Sequence, residues 1–162
     1  MFPKSNNFSS DTISFYASGN NVWGGNIKFT IDKVGDLLKN IYLVLKLPEL
    51  SVSQIVGQSD PVTNERTSEY RVKWADYIGN VIVEKVKLKI GGQIISEYDG
   101  EYNQIYTELY DYLWSKLCLL GQNKDLITPS RKINSQYIYI PLKFWFTRKI
   151  IYFIVISYCI RL

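Results

Sequence analysis

Between positions 41 and 47 the chain alternates Ile41, Leu43, Leu45 and Leu47 with Tyr42, Val44 and Lys46. Successive strand side chains point to opposite faces, so the four aliphatic residues share one buried face, and Pro48 stops the strand. The same period of two runs over 26–32, where Ile27, Phe29 and Ile31 fall on one side, and a shorter strand is predicted over 12–17, closed by Gly19-Asn20-Asn21. The clearest signal lies further on. Val86, Leu88 and Ile90 alternate with Lys85, Lys87 and Lys89, and Gly91-Gly92 supplies the positive φ angles of a two-residue hairpin turn. Strands at about 81–90 and 93–98 are therefore predicted to pair antiparallel. A further alternating run, 137–146, contains Pro141, which marks a bulge or an edge position.

One segment has helical spacing. Tyr102, Ile105, Tyr106, Leu109, Leu113 and Leu117 recur over about 100–118, Asp99 caps, Glu101 meets the positive end of the dipole, and Gly121-Gln122-Asn123 closes it. The expected packing face is Ile105, Leu109 and Leu113, with the tyrosine ladder Tyr102, Tyr106, Tyr110 packed as well. Two stretches lack any period: a long polar loop over 49–73 and a polar connector over 123–136 with Pro129.

Composition narrows the function classes. With 162 residues, 46% hydrophobic and 21% charged, the chain suits one folded domain with a short extension. No histidine is present, which excludes Ser-His-Asp and Cys-His nucleophilic sites and every zinc site that needs imidazole. Two cysteines, Cys118 and Cys159, cannot build a metal cluster or a disulfide framework; they suit free thiols in a reducing compartment, Cys118 as an inert core thiol. The N-terminus lacks an apolar signal segment, so the sequon Asn7-Phe8-Ser9 is not expected to be glycosylated. Gly24-Gly25 and Gly91-Gly92 are turn glycines outside any phosphate-binding pattern. No catalytic, cofactor-binding or metal-binding residue is assigned, and no cofactor is expected.

Net charge is +4, spread along the chain, and the row Lys85, Lys87, Lys89 reads as a solvated face that discourages edge pairing rather than a nucleic-acid site. Thirteen Tyr and four Trp suit a β-rich structural or binding module. The last stretch, 149–162, changes character: five of its fourteen residues are Ile, and it has no Gly, Pro, Asp, Glu or Asn. Its apolar part, about eleven residues, would span only about 16 Å as a helix against a hydrocarbon core of about 30 Å. A membrane span is not expected. Ile150, Tyr152, Ile154 and Ile156 share one side and suit a makeshift strand over 150–158.

Five stretches, in this order, resemble the first half of the major capsid proteins of nucleo-cytoplasmic large DNA viruses, such as giant viruses, iridoviruses and algal viruses. They are Val34-Gly35-Asp36-Leu37-Leu38 running into 41–48, Trp74-Ala75-Asp76-Tyr77-Ile78-Gly79-Asn80, 86–93, Tyr98-Asp99-Gly100-Glu101-Tyr102-Asn103-Gln104 with its continuation to 109, and 139–148 around Phe144-Trp145-Phe146-Thr147-Arg148. The resemblance covers roughly 24–148. It implies an all-β fold with one inserted helix: a viral jelly-roll β-sandwich, the first half of a double jelly roll. It further implies a structural role with no catalysis, and partners that are copies of itself or full-length capsid protein in a trimeric capsomer. Minor capsid proteins are possible further partners, the location is a virion assembled in host-cell cytoplasm, and no specific nucleic acid is bound.

Where relatives continue Phe-Trp-Phe-x-Arg with Asn-Pro-Gly, this chain has Lys149-Ile150-Ile151. The expectation is a partial domain over 1–148, incomplete at its C-terminus, with 149–162 a divergent tail, frameshifted or misjoined. Such a fragment is expected to be poorly soluble or self-associating. Two rival readings are a ligand- or carbohydrate-binding β-sandwich, which needs exposed aromatics in a concave pocket, and a small membrane-associated protein that uses the apolar tail.

Overall fold

The computed structural model describes residues 9–19, 22–52, 71–110 and 118–147, and the backbone of 154–155 and 160–161. Asn7, Cys159 and the helical positions Leu113 and Leu117 lie outside them, as does most of the polar loop, 53–70.

Two antiparallel ladders organise the described chain. In the first, β5 (Tyr42–Leu47) pairs with β10 (Gln136–Pro141) in a register that sets Ile138 opposite Leu45 and Ile140 opposite Leu43. The period-two pattern holds: Leu47, Ile138 and Ile140 are buried, while Tyr42, Val44, Tyr137 and Tyr139 face outward. In the second, β7 (Lys85–Ile90) pairs with β8 (Gln93–Asp99) through Gly91 at φ 59° and Gly92 at φ 85°, the two positive angles of a tight hairpin. Val86 and Leu88 are buried as expected. A bulge between Leu88 and Lys89 shifts the register, and Ile94 and Ile95 are both exposed beside it.

Shorter strands complete the sheets. β1 (Ser18–Gly19) pairs with β2 (Ile27–Lys28), and β6 (Leu50–Ser51) with β9 (Lys132–Ile133). β3 (Thr30–Ile31), β12 (Ile160–Arg161), β7 and β8 form a four-stranded sheet in that order. β4 (Leu37–Leu38) pairs with β11 (Ile154–Val155). The tail thus contributes two short strands that make three backbone pairings; the remainder of the strand expected over 150–158 lies outside the described residues.

Several boundaries differ from the sequence expectation. Residues 12–17 are irregular, with Ile13 and Tyr16 exposed; alternation makes a strand only where a partner ladder stands beside it. The run 26–32 breaks at Phe29 because its halves pair with different strands, so only Ile31 of the expected face is fully buried. The hairpin begins at Lys85, not 81, because α1 (Ile78–Ile82) precedes it. The run 137–146 stops as a strand at Pro141 and turns into a 3-10 helix, Trp145–Thr147, near which Phe144 and Phe146 are buried together while Trp145 stays out. Inside the polar connector α3 (Lys124–Ile127) is capped by Asn123, whose side chain accepts from the Leu126 N–H.

The inserted helix, α2 (Gly100–Tyr110), is where expected, and Asp99 Oδ1 accepts from the Tyr102 N–H at 2.8 Å. Its packing face is not the expected one. Ile105 is 58% and Leu109 64% exposed, whereas Gly100, Asn103 and Thr107 are buried. Their spacing of three and four is as helical as the apolar set. The inward face was decided by close backbone approach and by hydrogen bonding, not by hydrophobicity.

Candidate functional site: the α1–α2 junction and the outer sheet face

Tyr77 has φ 52° and ψ 39°, a left-handed conformation that a bulky side chain rarely adopts, and it starts α1. The turn is held by Gln122 Oε1, which accepts from the Tyr77 N–H at 3.2 Å, and by Leu120 O, which accepts from the Gly79 N–H at 3.0 Å. Gly79 fits closely here: a Cβ there would lie 3.0 Å from Ile140 Cγ1 and 3.2 Å from Leu120 O, tighter than ordinary contact.

α1 meets α2 through amides. Asn103 Nδ2 donates to Asn80 Oδ1 at 2.6 Å, Asn80 Nδ2 donates to Gln104 Oε1 at 2.7 Å, and Gln104 Nε2 donates to Glu108 Oε1 at 2.6 Å. Asn80 and Asn103 are both buried, so this network fixes the angle between the helices with little freedom. Gly100 makes the approach possible, since a Cβ there would run into the carbonyl oxygens of Val83 and Asn80. The junction leaves an open groove of about 750 Å³, lined among others by Tyr77, Val81, Glu84, Asp99, Glu101 and Ile105.

The hairpin's lysine row is tied down by one carboxylate. Glu97 accepts from Lys85 at 2.9 Å and lies 3.9 Å from Lys87. The Lys85 hydrogen bond holds the Glu97 carboxyl below its ordinary range, and the same bond raises Lys85. Behind β8, Tyr98 packs edge-on against Phe144 with ring centres 5.6 Å apart, and its hydroxyl accepts from the Lys143 N–H at 2.9 Å. Burial pushes the Tyr98 phenol well above its usual value, a rise the Lys143 hydrogen bond opposes. Phe144 in turn stacks on Phe146 at 5.6 Å.

The tyrosine ladder of α2 packs in part: Tyr102 and Tyr106 are half-buried and Tyr110 is exposed. Cys118 is half-buried, with its thiol 3.6 Å from Gln122 O. Among the described residues no group of three or more His, Cys, Asp and Glu is placed to hold a metal, and no helix is long and apolar enough to cross a membrane.

The outer face of the β5–β10 ladder carries three cross-strand pairs, Tyr42 opposite Pro141, Val44 opposite Tyr139, and Lys46 opposite Tyr137. The Lys46 ammonium sits 5.8 Å from the Tyr137 ring centre. Tyr42, Val44, Tyr137 and Tyr139 are all exposed. These aromatics lie along one face of the ladder, and none of them lines the groove at the α1–α2 junction. The alternation over 41–47 and 137–141 contained this face. The amide junction was missed, although the spacing of Gly100, Asn103 and Thr107 is visible in the sequence.

Known proteins resemble this chain in sequence and in fold. The family described as "Major capsid protein N-terminus" matches residues 1–156. A protein named "Probable capsid protein 4" from Acanthamoeba polyphaga mimivirus is 26% identical over 149 residues, covering 91% of this chain and 28% of the relative. A "Major capsid protein" from Chrysochromulina ericina virus is 29% identical over 117 residues, 64% of this chain and 20% of the relative. Among solved structures, a "PBCV-1 virus capsid, quasi-atomic model" superposes with a TM-score of 0.74 at 17% identity, over 99% of this chain and 35% of that one. The chain therefore spans about a third or less of the proteins it matches. The superposition carries the fold: a β-rich capsid jelly roll.

Proposed function

This chain belongs to the family of major capsid protein N-termini, and from that premise we propose that it is a structural, non-enzymatic component of the icosahedral capsid of a large DNA virus. The observation that carries the reading is the outer face of the β5–β10 ladder. Its inner side is closed by Leu47, Ile138 and Ile140, so the exposed row of Tyr42, Val44, Tyr137 and Tyr139 serves no core among the described residues. Such a row presents on the order of 400 Å² of mainly apolar surface, as large as monomeric proteins commonly leave exposed and about half of one partner's share in a standard interface.

The partners are copies of this chain or of full-length capsid protein, grouped as trimeric capsomers, with minor capsid proteins as further contacts. The location is the virion, assembled in host-cell cytoplasm, and no specific nucleic acid is bound. The domain runs over 1–148, with 149–162 a divergent tail. Translating the gene in its other frames past codon 148 tests the tail's origin. An Asn-Pro-Gly continuation there supports a frameshift, and its absence overturns it.

Sizing of the whole chain tests the assembly reading. The wild type is expected to elute as a trimer or larger species. Val44→Lys with Tyr139→Lys, both on the exposed face, is expected to elute smaller with an unchanged circular dichroism spectrum. Identical sizes for the two proteins would overturn the role of this face.

A further inference from the structure

The groove at the α1–α2 junction is separate from the β5–β10 face and is not explained by it. Its walls combine two properties that rarely coincide on a solvated surface. Val81 and Ile105 are about 60% exposed, at 64% and 58%, and Leu109 continues the same apolar line one turn along α2. Glu84, Asp99 and Glu101 line the same groove. Among the described residues none of these three carboxylates lies within ion-pair distance of a cation. Asp76, the fourth carboxylate, has Lys73 at 3.7 Å. Lys85, adjacent to Glu84 in the chain and opposite Asp99 in the hairpin, bonds Glu97 on the sheet and feels Glu84 and Asp99 only at longer range. The chain as a whole has 19 Lys and Arg against 15 Asp and Glu, so this acidic lining runs against the average of the molecule.

We infer that this groove docks a segment of another polypeptide in which apolar side chains are flanked by lysine or arginine. The apolar side chains of the segment lie on Tyr77, Val81 and Ile105, and its cations meet Glu84, Glu101 and the oxygen of Asp99 that does not cap α2. Charge complementarity selects this occupant. An anionic segment would be repelled by the Glu84, Asp99 and Glu101 carboxylates, none of which has a cation within ion-pair distance among the described residues, and a purely polar cationic one would leave the apolar walls in water. A volume of about 750 Å³ suits a few side chains rather than a folded domain. The groove is also preformed. The Asn80–Asn103–Gln104 network and the contact at Gly100 fix both walls, so docking does not have to order them first.

The probe is a fluorescein-labelled peptide of alternating Lys and Leu, titrated against the whole chain by fluorescence anisotropy at moderate salt. Two control peptides alternate Asp with Leu and Lys with Ser. Saturable binding of the Lys-Leu peptide alone is expected. Ile105→Ser should weaken it about tenfold through lost apolar burial. The double variant Glu84→Gln with Glu101→Gln should weaken it about three- to tenfold, an effect that shrinks as salt rises. Ile105, Glu84 and Glu101 are exposed, so these variants keep the fold, which circular dichroism checks. Val44→Lys with Tyr139→Lys should leave peptide binding unchanged, which separates this inference from the assembly reading. Equal affinity for the Lys-Ser peptide, equal binding by all groove variants, or no saturation would each overturn it. So would groove variants that alter only self-association, since the occupant would then be a second copy of this chain.

Discussion

Phe144→Ala should be among the costliest single substitutions in this chain. The ring is fully buried, stacked on Phe146 with planes 13° apart and met edge-on by Tyr98, with both ring centres 5.6 Å away. Removing a buried phenylalanine ring costs about 3–5 kcal/mol, the sum of lost transfer energy and the cavity left behind. The two aromatic contacts place Phe144 toward the upper half, since each such pair is worth about 0.5–1.5 kcal/mol beyond its area. A third contribution follows from position. Lys143 donates its N–H to the Tyr98 hydroxyl, so a collapse of the ring cluster strains a half-buried hydrogen bond next to the cavity. Urea unfolding followed by far-ultraviolet circular dichroism measures the effect. With a slope of about 2 kcal/mol/M, the midpoint should fall by about 2 M with the slope unchanged. A loss below about 1 kcal/mol would refute the reasoning, because a site that closed so cheaply would not be packed as described.

The remaining predictions concern the helix and the hairpin. Leu109→Ala should change stability by no more than about 0.5 kcal/mol, since Leu109 is largely exposed; a loss near 3 kcal/mol in the same urea assay would mean that α2 docks by its apolar side after all. Gly100→Ala should destabilise by about 1–3 kcal/mol although alanine is the better helix former, because its Cβ meets backbone carbonyls that cannot turn aside. Glu97→Gln should flatten the pH dependence of stability at both ends. The lowered Glu97 pKa gives a contribution that is present above the unfolded carboxyl value and lost as pH falls through the folded one. The raised Lys85 pKa gives one that is present below the unfolded lysine value and lost as pH rises through the folded one. Stability curves of wild type and variant that stay parallel from acid to alkaline pH would rule this pairing out.

What the sequence determined by itself is local. Alternation over 41–47, 85–90 and 137–141 fixed which side chains of β5, β7 and β10 face inward, because a strand's period of two leaves no other choice once one face is buried. Gly91-Gly92 fixed the hairpin, since both positions need positive φ, and Asp99 fixed the start of α2. Five short stretches fixed the family through their order. The tertiary structure decided what depends on partners. Residues 12–17 alternate yet have no ladder beside them, and 26–32 divides at Phe29 because its halves pair with different strands. Two helical faces were available to α2, one of Ile105 and Leu109 and one of Gly100, Asn103 and Thr107. The second was buried because Gly100 lets the backbones meet and Asn103 finds Asn80, which is 23 residues away in sequence. Helical spacing ranks faces by hydrophobicity alone. It carries no term for an amide across the gap or for the absence of a Cβ, and those two features decided this junction.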